Sequence, residues 1–99
     1  MRLTQQQQQA IINAFIEVFD KGNLYLFGSR VDDQCKGGDI DLYIQPEQQT
    51  QLGQKRLEFI AKLYRQLGEQ KIDVVIQREK PKPIDRIAME QGILLCQRH

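Results

Sequence analysis

What this sequence lacks narrows its chemistry before any motif is read. Neither sign of charge is in excess: 14 lysines and arginines stand against 13 aspartates and glutamates in 99 residues, a formal net charge of +1. Holding a polynucleotide by counterion release takes a basic surface, so no direct nucleic-acid binding is expected. Long apolar runs are absent as well. No stretch approaches the roughly eighteen consecutive apolar residues of a membrane span, and the glutamine-rich N-terminus has no apolar signal-peptide core. The expectation is a cytoplasmic protein without a membrane partner. Cysteine is scarce: Cys35 and Cys96 lack metal-site spacing and read as free thiols. The one histidine, His99, is the last residue and is given no role. With 40% hydrophobic content, residues 1–99 read as one domain with one modest core.

What is present falls into a short series of elements. Thr4 followed by Gln7 fits a capping box, and Ile11, Ile12, Phe15, Ile16 and Phe19 recur at helical spacing until Lys21-Gly22. Asn23 to Gly28, with Leu24, Tyr25, Leu26 and Phe27, reads as a strand buried on both faces. Residues 30–38, with Gly37-Gly38, read as a turn-rich loop. From Asp39 to Gln45 the pattern alternates, Ile40, Leu42 and Ile44 to one side and Asp39, Asp41 and Tyr43 to the other. Pro46-Glu47 suits a helix start, with an apolar stripe of Leu57, Ile60, Ala61, Tyr64 and Leu67 ended by Gly68. Lys71 to Gln77 alternates again, setting Ile72, Val74 and Ile76 against Asp73 and Val75. Beyond Pro81 and Pro83, Ile84, Ile87 and Ala88 suggest a short helix before the apolar Ile93 to Cys96. Helix, two strands, helix, strand and helix predict an α/β (α+β) domain, a small mixed sheet with helices packed on it.

The chemistry concentrates in three aspartates. Side chains two apart on a strand share a face with their bases about 6.5–7 Å apart, so Asp39 and Asp41 reach toward a common point. Two such carboxylates repel, and burying them takes cations, donors or water. A hard divalent ion meets that need, since magnesium prefers a few carboxylate oxygens together with water and substrate phosphate. Asp73, on a later strand of similar alternation, is a candidate third member. Upstream, Gly28-Ser29 ends the first strand, where glycine admits a phosphate to the backbone and the serine hydroxyl donates to it. Arg30 offers a guanidinium fork to the same anion, and reads equally as a surface ion-pair partner. Taken singly, Asp39 also reads as a turn cap and Asp73 as a solvent-facing acid. Together the set suits phosphoryl or nucleotidyl transfer, in which positioning and charge neutralisation dominate.

Gly28-Ser29-Arg30, then eight residues, then Asp39-Ile40-Asp41-Leu42, with Ile72-Asp73-Val74-Val75 further on, resembles the polymerase-beta-type minimal nucleotidyltransferases (MNT). These are the antitoxin half of HEPN/MNT toxin–antitoxin pairs, classed as type VII. The resemblance implies the polymerase-beta-like fold, with Gly28 and Ser29 holding the phosphates of ATP. It also implies that Asp39 and Asp41 ligate two Mg2+ ions, and that Asp73 completes the metal site and helps deprotonate the acceptor. The acceptor it implies is a tyrosine of a cognate HEPN ribonuclease toxin, which AMP transfer silences. The sequence departs from the commoner pattern at Val31-Asp32-Asp33, where a small residue, an arginine and a glycine usually follow.

Two other readings compete. A non-catalytic antitoxin would neutralise its toxin by binding alone. A nucleotidyltransferase acting on RNA or a small molecule would share the donor chemistry, but such enzymes carry an acceptor domain for which 99 residues leave no space.

Overall fold

The structure, a computed structural model, describes residues 3–27, 40–68, 71–77 and 92–99. Thr4 opens α1 (Gln5–Phe19) as the capping box requires. Its hydroxyl accepts from the Gln7 N–H, and the Gln7 side chain accepts from the Thr4 N–H, both at 3.0 Å. These bonds satisfy donors that a helix start otherwise leaves unmet. Ala10, Ile11, Ala14, Phe15 and Phe19 form the buried stripe, and Asp20 ends the helix at positive φ.

Four strands follow: β1 (Gly22–Phe27), β2 (Ile40–Pro46), β3 (Ile72–Ile76) and β4 (Ile93–Arg98), with α2 (Leu52–Leu67) between β2 and β3. Their order in the sheet is β3-β2-β1-β4. β1 pairs antiparallel with both β2 and β4, and β2 pairs parallel with β3 across the α2 crossover. The sheet is therefore mixed and flanked by helices, as the pattern predicts. β1 enters it through Gly22, whose φ of 135° favours glycine; a Cβ there would collide with the Gln45 carbonyl oxygen.

One face of the sheet makes the core. Leu24, Leu26, Ile40, Leu42, Ile44, Ile72 and Val74 pack against Ile11, Ala14, Phe15 and Phe19 of α1 and Leu52, Phe59 and Leu63 of α2. β1 is correspondingly buried on alternate residues rather than on both faces, because α1 and α2 pack on the side that carries Leu24 and Leu26. The two helices also meet at the surface through a Lys62–Glu17 ion pair of 2.9 Å, worth at most about 1 kcal/mol at that exposure.

Three further sequence expectations need correction. Pro46 does not open α2; it is the last residue of β2, paired with Gly22, and the helix begins at Leu52 after a left-handed Gln51. The stripe of α2 is rotated from the expected one, since the bulk of Phe59 and Leu63 turns inward and leaves Leu57 67% and Tyr64 46% exposed. Ile93 to Cys96, read only as an apolar stretch, is most of an edge strand. The short helix expected around residues 84–88 lies outside the described residues.

Candidate active site on the sheet face opposite the helices α1 and α2

Because successive side chains alternate across a strand, burying Leu42 and Ile44 in the core sends Asp41, Tyr43 and Gln45 to the opposite face. The same alternation on β3 buries Ile72 and Val74 and leaves Asp73 exposed. Register then decides which acids meet. Asp41 lies directly across from Asp73 in the parallel pair, and across from Phe27 in the antiparallel pair on its other side. Neighbouring strands run about 4.8 Å apart, so the two carboxylates rise side by side from one row, Phe27–Asp41–Asp73. A slip of one residue would turn Asp73 into the core, so the pairing is specified by the apolar residues around it.

The ladder that fixes this row begins with the Ile40 N–H donating to the Lys71 carbonyl and ends with the Gln77 N–H donating to the Ile44 carbonyl, at 3.0 and 2.9 Å. Behind the acids lies a second row, Tyr25–Tyr43–Val75. The two tyrosine rings are 6.1 Å apart and tilted, and Tyr43 is fully buried although it faces away from the helices. A third row joins Asn23 to Gln45, whose Oε1 accepts from the Asn23 Nδ2 at 3.0 Å. The face thus grades from paired carboxylates through aromatic rings to amides.

Of the six expected site residues, Asp41 and Asp73 are brought together. Asp39, Gly28, Ser29 and Arg30 lie outside the described residues. In the chain, Gly28 follows Phe27, the residue across from Asp41, and Asp39 immediately precedes the first residue of β2. Among the described residues no group of three acidic, histidine or cysteine side chains is arranged to hold a metal. Cys96 is a free thiol in β4, as expected, and stands apart from the acidic row. Sequence reading did not single out Phe27 or Tyr25; only the strand register reveals that they share rows with Asp41 and Tyr43.

A four-stranded mixed sheet carrying adjacent carboxylates on the face opposite α1 and α2 fits a nucleotidyltransferase scaffold, and comparison with known proteins agrees. The chain belongs to the polymerase beta nucleotidyltransferase family, whose sequence profile matches residues 9–99. Among proteins of curated function, none matches. Solved structures of like fold include the tri-AMPylated Shewanella oneidensis HEPN toxin in complex with MNT antitoxin. That match has a TM-score of 0.73 at 24% identity, and covers 96% of this chain and 73% of the other. A toxin–antitoxin structure with AMP-PNP matches with a TM-score of 0.73 at 25% identity, covering 91% of this chain and 73% of that one. The MntA–HepT toxin–antitoxin structure matches with a TM-score of 0.72 at 23% identity, covering 95% and 73%.

Proposed function

We propose that the protein is a Mg2+-dependent nucleotidyltransferase that moves AMP from ATP onto a tyrosine of a partner HEPN ribonuclease, and so acts as its antitoxin. The observation that carries this reading is the side-by-side register of Asp41 and Asp73 on the face of a polymerase-beta-family sheet opposite α1 and α2. The likeness to a tri-AMPylated HEPN toxin complex and to a complex with AMP-PNP supports the choice of donor and partner.

The donor set suits the ion. Asp41 and Asp73 offer hard oxygen ligands in a row that reaches solvent at Asp73, and a hard cation with retained waters is the chemistry that such a pair favours. Asp39, two residues before Asp41, is the third ligand in this reading. When bound, magnesium supplies charge neutralisation and orientation for the triphosphate. The chain's own residues do the rest. Gly28 and Ser29 hold the phosphates, with Arg30 contributing its guanidinium. Asp73 takes the proton of the acceptor hydroxyl as its oxygen bonds to the α-phosphorus, and the bond to the leaving pyrophosphate breaks.

The test is to incubate the protein with α-labelled ATP, Mg2+ and the HEPN protein encoded beside it. Label is expected on the partner, with loss of its ribonuclease activity. A partner that is silenced without label identifies an antitoxin acting by binding alone. Label on RNA or on small hydroxyl compounds, with none on the partner, moves the acceptor to another class.

A further inference from the structure

β3 carries Asp73 and is the least supported strand of the sheet. Among the described residues it lies at an edge, it is five residues long, and its single strand neighbour is the parallel strand β2. Parallel pairing is slightly weaker per residue than antiparallel, and an edge strand leaves a row of backbone groups unpaired. The bonds at the two ends of the ladder fix which groups those are. Since Lys71 and Gln77 bond to β2, the odd-numbered residues of this segment face β2, and the carbonyls of Ile72, Val74 and Ile76 point off the sheet.

One of those outward carbonyls is taken. The Nε–H of Arg56, on α2, donates to the Val74 oxygen at 2.9 Å from a half-buried position. Gln49, in the segment leading to α2, makes longer contacts where the two strands end: its Nε2 lies 3.3 Å from the carbonyl of Gln77, just past β3, and 3.4 Å from that of Pro46, the last residue of β2. Arg56 therefore ties α2 to β3 at the edge away from β2, one residue from the candidate carboxylate. We infer that Arg56 is a positioning residue: by binding the Val74 carbonyl it holds β3 in the register that sets Asp73 beside Asp41. The inference rests on the reading of Asp73 as a site carboxylate, and the requirement on Arg56 is for a donor at Nε rather than for its charge.

Two substitutions separate donor from charge. Arg56→Met keeps the aliphatic stem and removes the donor. Arg56→Gln sets an amide N–H the same number of bonds from Cα and removes the charge. AMP transfer to the HEPN partner is expected to slow about tenfold in R56M, in kcat with KM for ATP little changed, and to return to within about threefold of the parent in R56Q. Amide hydrogen exchange at Asp73, Val75 and Gln77 is expected to quicken about tenfold in R56M alone, while amides of α1 and β1 keep their rates. R56M matching the parent in both measurements would overturn the inference, as would R56Q being impaired as far as R56M. Should the parent transfer no AMP at all, the function proposed above fails, and exchange alone then decides the brace. Selective quickening in R56M restored in R56Q upholds it; unaltered exchange refutes it.

Discussion

Replacing Asp41 and Asp73 together by asparagine is expected to abolish AMP transfer, by a factor on the order of 10³ or more, while the protein stays folded. The magnitude follows from the number of charges lost: removing one preorganised electrostatic group from an active site costs about 10²–10³ in rate, and here two go at once. Asparagine keeps the volume and loses the anion, so the pair would no longer neutralise a cation or accept a proton. Stability should move little. Asp73 is exposed and Asp41 half-buried, both outside the apolar cluster that holds the sheet to the helices. Two like charges one strand spacing apart repel by about 0.9 kcal/mol in water, and the substitution relieves that. A site that costs the fold a little stability is what function at these positions entails. Transfer of label measured beside thermal unfolding of the same sample checks both halves. Loss of transfer together with loss of folding would make the acids structural instead.

The opposite signature is expected at Phe59. Its ring is fully buried and meets Phe19 edge-on with centroids 5.8 Å apart, and Phe19 in turn stacks on Phe15 at 5.8 Å. This aromatic chain ties α2 to α1 beneath the sheet. Phe59→Ala removes the α2 end of it and leaves a cavity, at a cost of about 3–5 kcal/mol. In a domain of this size that lowers the unfolding midpoint by about 15–30 °C, and it consumes much of the roughly 5–15 kcal/mol that a small domain has in total. Denaturant titration should give a fall in midpoint at unchanged slope. A loss below about 1 kcal/mol would show that the helices collapse into the vacated space.

The two substitutions separate what was legible in the sequence from what was not. Period-two alternation over Ile40 to Gln45 and Lys71 to Gln77 shows both strands and the side chains they turn toward the helices, because packing α1 and α2 on one face of a sheet forces that alternation, while Asp39 lies outside the described residues. The capping box of Thr4 and Gln7 located the start of α1, and Gly68 located the end of α2. Elsewhere the signal was ambiguous or lay in another part of the chain. Pro46 reads as well at a strand end as at a helix start, and only its pairing with Gly22 decides. Leu57 and Tyr64 match helical spacing with Ile60 and Leu67, yet so do Phe59 and Leu63, and the sheet chose the latter. Ile93 to Arg98 lacks alternation, because an edge strand half open to solvent imposes none. For the site, each aspartate was visible singly, but that Asp41 stands beside Asp73 is a fact of register between strands separated by a helix. Arg56 shows no local signal at all: an arginine on an amphipathic helix is unremarkable until its partner, a backbone carbonyl, is known.

The account rests on Asp41 and Asp73 meeting one divalent ion together with nucleotide. Titrating Mn2+ into the 15N-labelled protein in the presence of ATP tests that most directly, since manganese takes the same oxygen ligands as magnesium and broadens nearby amides. Broadening is expected first at Phe27, Asp41, Leu42, Asp73 and Val74, with the α1 amides sharp. Broadening that begins elsewhere, or spreads evenly over the chain, would contradict it.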